Sequence, residues 1–132
     1  MLAGLSEWLD AYGRAWEERN PEAAADLFTD DASYQWGPFG RKLRGRPMIR
    51  EAWAEALELQ DNVEFGYEVL SASNRGGLVR WWCSFDQPER GIRESDEGIF
   101  RIGFDETGLC RSFEEWWNST EQSLDGAKPE ST

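Results

Sequence analysis

Ala25-Asp26-Leu27-Phe28-Thr29-Asp30-Asp31-Ala32-Ser33-Tyr34 sits between an aromatic segment, Leu5 to Trp16, and the stretch Gly45-Arg46-Pro47-Met48-Ile49-Arg50-Glu51-Ala52-Trp53. Upstream, Leu5, Trp8, Leu9, Tyr12 and Trp16 recur at helical spacing, so a first helix with one aromatic face is expected to end near Arg19. Asn20 has the chemistry of an N-cap, Pro21 suits the first helical position and Glu22 complements the helix dipole, which predicts a short second helix reaching Phe28. Ala32 to Trp36 then has the size of a short strand, with Asp30 and Asp31 before it as capping and turn residues. Gly37-Pro38-Phe39-Gly40 breaks that strand and leaves a basic loop containing Arg41, Lys42, Arg44 and Arg46. Pro47 starts a third helix that buries Ile49, Trp53, Ala56 and Leu57.

Beyond Asn62 the apolar period changes to two: Val63, Phe65, Tyr67 and Val69 share one face of a strand. Asn74-Arg75-Gly76-Gly77 turns the chain into a second strand, Leu78 to Phe85, and Pro88 to Arg93 reads as a loop. Gly98 to Phe104 and Leu109 to Trp117 form a last hairpin across Asp105-Glu106-Thr107-Gly108. Three helices followed by an antiparallel meander predict an α+β domain whose helices cover one face of a curved sheet. A single domain is expected over residues 1–118, and the polar, aromatic-free residues 119–132 read as a flexible acidic tail.

Composition excludes several functions. Fourteen Lys and Arg against 26 Asp and Glu give a net charge of −12, which repels nucleic-acid backbones and anionic membranes. No apolar run approaches the roughly 20 residues that a membrane helix requires, and the first residues lack the pattern of a secretory leader, so a cytoplasmic protein is expected. Cys83 and Cys110 lack the clustering of a zinc site and read as reduced, packed thiols; no metal ligand set is expected. The chain has no histidine, so serine or cysteine triads and histidine-held metals are unavailable to it on its own. Proton transfer falls to carboxylate, tyrosine, cysteine or lysine.

The order of these motifs, together with the closing segment Phe113-Glu114-Glu115-Trp116-Trp117, resembles the nuclear transport factor 2-like superfamily and within it the polyketide cyclase-like, ketosteroid isomerase-related group. The resemblance spans roughly Leu5 to Asn118 and implies a cone-shaped curved sheet around a cavity. It also implies cofactor-independent chemistry on an apolar small molecule. Tyr12 falls where ketosteroid isomerases place an oxyanion-binding tyrosine, whereas Trp36 stands at the place of their base aspartate and Gly98 at or near that of their protonated acid. Steroid isomerisation by the family's own residues is therefore not expected, and the histidine-dependent dehydratases of the fold are excluded.

Strand alternation assigns faces without the family. If Phe113 points into the cone, so do Glu115 and Trp117, while Trp116 points away; likewise Trp81, Cys83 and Phe85 oppose Trp82. Glu115 is the candidate acid/base, because a carboxyl walled by aromatic rings loses hydration and titrates nearer neutrality, and Tyr12 is the candidate hydrogen-bond donor beside it. The alternative is a rim position for Glu115 with an ion pair to Arg111 or Arg101. Trp16, Trp36, Phe39, Trp53, Trp81, Phe85, Phe100, Phe113 and Trp117 are candidates to bind substrate, or in part to fill the core. Trp82 and Trp116 lie on the face that the helices leave uncovered, which points to a homodimer through the outer sheet. Two functions remain open: an isomerase, cyclase or dehydratase type of enzyme, or a non-catalytic domain of the same fold that binds a hydrophobic molecule or supports dimerisation.

Overall fold

In the computed structural model, residues 4–37 and 39–124 are described. The elements follow the order α1 (Leu5–Glu17), α2 (Pro21–Ala25), β1 (Phe28–Trp36), β2 (Lys42–Arg44), α3 (Arg46–Leu57), β3 (Asp61–Ser73), β4 (Gly76–Gln87), β5 (Ile92–Phe104) and β6 (Cys110–Ser123). The six strands form one curved, unclosed sheet in the order β2-β1-β6-β5-β4-β3, an α+β cone with three helices. Four of the five joins between neighbouring strands are antiparallel. The join of β1 to β6 is parallel, however, so the sheet is mixed: the chain returns from its last hairpin to lie beside its first strand.

The N-terminal helices form for the reasons visible in the sequence. The Asn20 side chain accepts a hydrogen bond from the Ala23 amide at 3.0 Å and Pro21 opens α2, a cap worth about 1 kcal/mol. The aromatic face of α1 lies against the sheet, where Trp8 stacks on Tyr12 with ring centroids 5.1 Å apart and meets Phe28 edge-on at 5.6 Å. The Trp8 indole N–H donates to the Leu27 carbonyl at 2.9 Å, tying the first helix to the start of the first strand. Beneath this layer Phe100, Phe113, Tyr34 and Trp81 are fully buried, Tyr34 stacked on Phe113 with centroids at 4.4 Å and Trp81 on Phe100 at 4.8 Å, while Phe100 and Phe113 meet at a tilt.

Several boundaries differ from the sequence reading, each for a physical reason. Helix α2 ends at Ala25 and β1 begins at Phe28, because Phe28 is needed in the core and the extended chain delivers it there. Asp30 and Asp31 are consequently strand residues: Asp30 pairs with Arg46 at 3.0 Å and Asp31 accepts from the Thr29 hydroxyl. The basic loop contains a short strand, β2, paired with Ser33 to Gln35. Strand β5 starts at Ile92, six residues before Gly98, and β6 runs to Ser123, so residues 119–123 are strand where a tail was expected. The rest of the expected tail, residues 125–132, lies outside the described residues.

Trp8 has no exposed surface and anchors both the helix layer and the β1 entry. Trp8→Ala should lower unfolding stability by about 3–5 kcal/mol in a urea titration, whereas a loss under about 1 kcal/mol would contradict that anchoring role.

Candidate active site

The mouth of the cone lies between α1, α3 and the inner faces of β1, β4, β5 and β6. It opens into a cavity of about 290 Å³ whose wall includes Tyr12, Trp16, Tyr34, Trp36, Trp53, Trp81, Phe85, Trp117, Glu94, Asp96 and Glu115. Period-two alternation places these groups. On β6, Phe113, Glu115, Trp117 and Ser119 share the inner face; on β5 it is Glu94, Asp96, Gly98 and Phe100, and on β4 Trp81, Cys83 and Phe85. Gly98 pairs with Trp81 on one side and Trp117 on the other, and a Cβ there would lie 1.7 Å from the Trp116 carbonyl oxygen. No side chain fits at Gly98, which leaves the gap between the two indoles clear. Trp117 is 40% exposed at the mouth, its ring over Gly37, whose φ of 74° suits glycine.

Glu115 is only 8% exposed and accepts a hydrogen bond from the Tyr34 hydroxyl at 3.0 Å; the Tyr12 hydroxyl lies 2.7 Å from that of Tyr34. Each phenol has one proton. With Glu115 ionised, Tyr34 donates to it and Tyr12 must donate to Tyr34. With Glu115 protonated the chain can reverse, running from the carboxyl to Tyr34 to Tyr12 and freeing the Tyr12 O–H for another acceptor. Burial raises the Glu115 carboxyl to about 8, the Tyr34 hydrogen bond pulling the other way and the Asp96 charge adding to the rise. Burial, together with the Glu115 charge, holds both phenols well above their ordinary value. None of the described ion pairs involves Glu115; Arg101 instead approaches Glu114 on the outer face at 3.6 Å. The rim ion pair weighed for Glu115 is thus absent.

Asp96 is the second buried carboxyl, also 8% exposed. Ser119 donates to it at 2.6 Å, and its carboxyl is raised to about 7, first by burial and then by the neighbouring Glu94. Sequence reasoning missed it because β5 was started at Gly98. Counting back from the buried Phe100 in steps of two places Asp96 inside, so the signal was available. Tyr34 was missed as well, although alternation within Ala32 to Trp36 points it the same way as Trp36. Of the candidates named from sequence, the cavity brings together Glu115, Tyr12, Trp16, Trp36, Trp53, Trp81, Phe85 and Trp117. Phe100 and Phe113 are sealed in the core below it, and Phe39 is fully exposed on its loop, because the turn after Trp36 carries it away from the cone. Tyr12 and Glu115 are not direct partners; Tyr34 stands between them. Cys83 and Cys110 are free, buried thiols raised by burial. Among the described residues no cluster of three potential metal ligands occurs, and no helix is long and apolar enough to cross a membrane.

A family model described as the SnoaL-like domain matches residues 9–112. The chain belongs to the SnoaL-like domain family. Comparison with curated proteins finds no sequence match. Among solved structures, this SnoaL-like chain is similar to RV0760c from Mycobacterium tuberculosis, with a TM-score of 0.79, 15% identity and coverage of 92% of this chain and 98% of the other. That protein has also been solved in complex with estradiol-17beta-hemisuccinate. A Delta 5-3-ketosteroid isomerase from Mycobacterium sp. superposes with a TM-score of 0.74 at 18% identity, covering 89% and 98% of the two chains. SalBIII, described as an epoxide hydrolase/cyclase-like enzyme in pyran ring formation, gives 0.69 at 19% identity, covering 86% and 89%. At these identities the likenesses establish the fold.

Two buried carboxyls without a cationic partner impose a pH signature on the SnoaL-like fold. Both are raised in the folded chain, so between about pH 4.5 and about pH 8 it holds protons that the unfolded chain releases. Stability should therefore fall as pH rises through that window, by up to about 1.4 kcal/mol per pH unit for each group. Urea midpoints across the window should show that slope in the parent and a flatter one in Glu115→Gln and Asp96→Asn. Parallel slopes in all three would contradict the assignment.

Proposed function

We propose that this protein is a small, cofactor-independent enzyme of the isomerase, cyclase or dehydratase type that moves protons on an apolar molecule held in the aromatic cavity. The observation that carries this reading is Glu115: a carboxyl with no cationic partner, facing a cavity and hydrogen-bonded to a tyrosine pair. A carboxyl raised to about 8 is mostly protonated at neutral pH, yet can lose its proton without a large penalty, so it serves as acid in one step and base in the next. Tyr12, reached through Tyr34, donates to an oxygen of the substrate when Glu115 is protonated, and the chain reverses as Glu115 ionises. The indoles of Trp16, Trp36, Trp53, Trp81 and Trp117 supply broad contact to a flat apolar framework. The steroid complex of RV0760c and the isomerase and cyclase-like neighbours support a small-molecule cavity of this kind. The resemblance puts Trp36 where ketosteroid isomerases have their base aspartate and Gly98 at or near the place of their protonated acid, so the proton donor in this reading is a different carboxyl, Glu115.

Glu115→Gln should reduce turnover by about a hundredfold or more while leaving ligand affinity, read by quenching of tryptophan fluorescence, within about threefold. Undiminished turnover would remove Glu115 from the mechanism. A ligand that binds but is never turned over, across a panel of cyclic ketones and polyketide-like compounds, would favour the non-catalytic binding domain.

We further infer a homodimer through the outer sheet face. Trp82 and Trp116 are each 39% exposed there, with Ile99 between their strands and Arg80 4.9 Å over the Trp82 ring. The pairs Arg80–Glu97 and Arg101–Glu114 on the same face give such an interface a charged rim. Sedimentation should report a dimer at micromolar concentration and a monomer for Trp82→Ser with Trp116→Ser; a monomeric parent overturns the inference. The cytoplasm is the setting this reading takes, supported by the two free thiols.

A further inference from the structure

Every charged side chain that lines the cavity is acidic. Its acidic members are Glu94, Asp96 and Glu115, from β5 and β6, and its remaining walls are largely indole and phenol rings. No lysine or arginine contributes to the lining. Arg93, the basic residue beside Glu94 and Asp96 in sequence, points to the opposite face of the sheet, where Asp86 and Glu64 each hold it at 2.8 Å. The chain as a whole carries the same sign, with a net charge of −12.

Resting on the reading of this cavity as a small-molecule site, we propose that its ligand is an apolar organic cation, a protonated amine or quaternary ammonium on a flat hydrophobic framework, with its charge seated among Glu115, Asp96 and the indole faces.

Three features favour a cation over a neutral or anionic occupant. Indole faces attract cations through their quadrupole, and more strongly when water is excluded. Buried carboxyls are ordinarily paired, and no ion pair among the described residues involves Glu115 or Asp96; a ligand can supply the cation. The Gln87 amide at the cavity wall is engaged at both ends, donating to Glu94 at 2.6 Å and accepting from Arg90 at 3.4 Å.

A cation in this position also shifts protons. The titratable groups facing the site are Tyr12 from α1, Tyr34 from β1, Cys83 from β4, Glu94 and Asp96 from β5, and Glu115 from β6. Tyr12, Tyr34 and Cys83 are raised and stay protonated, and Asp96 and Glu115 are the groups raised to near neutrality. The positive charge favours their ionised forms, so binding releases a proton, and affinity rises with pH through about 7 to about 8, where the empty site gives up its own protons.

The test compares three probes of one shape: naphthylmethyl-trimethylammonium, neopentyl-naphthalene in which carbon replaces the nitrogen, and naphthylacetate. Tryptophan quenching and calorimetry in buffers of different ionisation enthalpy read affinity and proton release. The expected result is that the ammonium binds at least about tenfold more tightly than its carbon isostere. Its binding should release protons and strengthen from pH 6 to pH 9, and Glu115→Gln with Asp96→Asn should erase the preference while leaving the isostere's affinity in place. Equal or tighter binding of the isostere or of naphthylacetate overturns the cationic assignment but leaves the small-molecule cavity standing. Failure of all three to bind overturns both.

Discussion

Glu115 is buried without a counter-ion, and much of the interior is arranged around that fact. An ionised carboxyl in such a place would be strongly disfavoured, so the group rests in its neutral form and its titration moves to about 8. Among the described residues its relief comes from the Tyr34 hydroxyl at 3.0 Å, itself held at 2.7 Å by Tyr12. Those two phenols come from α1 and β1, while the carboxyl comes from β6. The hydrogen-bond chain therefore depends on the parallel join of β1 to β6, which sets Trp36 opposite Glu115 and Tyr34 opposite Phe113. An antiparallel meander alone would not bring the first strand beside the last.

The same join explains why the chain needs so many large rings. Tyr34, Phe113, Phe100 and Trp81 pack ring to ring in succession across β1, β6, β5 and β4 and form a floor beneath the carboxyl. Trp8 and Tyr12 close the layer from the helix side. This packing keeps water from the lower side of Glu115 and leaves the cavity side as its approach. Gly98 contributes by having no side chain: with Trp81 and Trp117 on either side, any Cβ would strike the neighbouring strand. The gap at Gly98 is thus imposed by the close approach of β5 to β6, and the acid of this strand is carried two residues earlier, at Asp96.

The legibility of the molecule from sequence followed the strength of its periodicities. Helix α1, the Asn20 cap, the start of α3 and the inner face of β4 were readable because burial there repeats over several turns or pairs of residues. The beginning of β5 was not, because Arg93-Glu94-Ser95-Asp96-Glu97 is polar at every position and carries no apolar alternation. It is nonetheless strand, held by pairing on both sides, with its inward carboxyls facing a cavity in place of a packed core. Polar residues on the inner face of a sheet weaken the pattern by which strands are recognised, and a site that needs buried carboxyls places them there. Phe39 failed in the opposite sense: an aromatic residue in a glycine-rich turn carries no period at all, and the turn leaves it in solvent.

A chain without histidine has to obtain a group that titrates near neutrality from another residue type. Burial does this for carboxyls, and this fold does it twice, bringing Glu115 to about 8 and Asp96 to about 7. The two are not equivalent. Asp96 leans on Ser119 and Glu94 near the mouth, where part of its relief comes from a short hydroxyl bond, while Glu115 leans on phenols that themselves resist ionisation. A charge arriving in the cavity would meet Asp96 toward its outer end and Glu115 toward its base. Unequal surroundings of two carboxyls are what separate an acid from a base in one site, and here the difference is built from strand position alone.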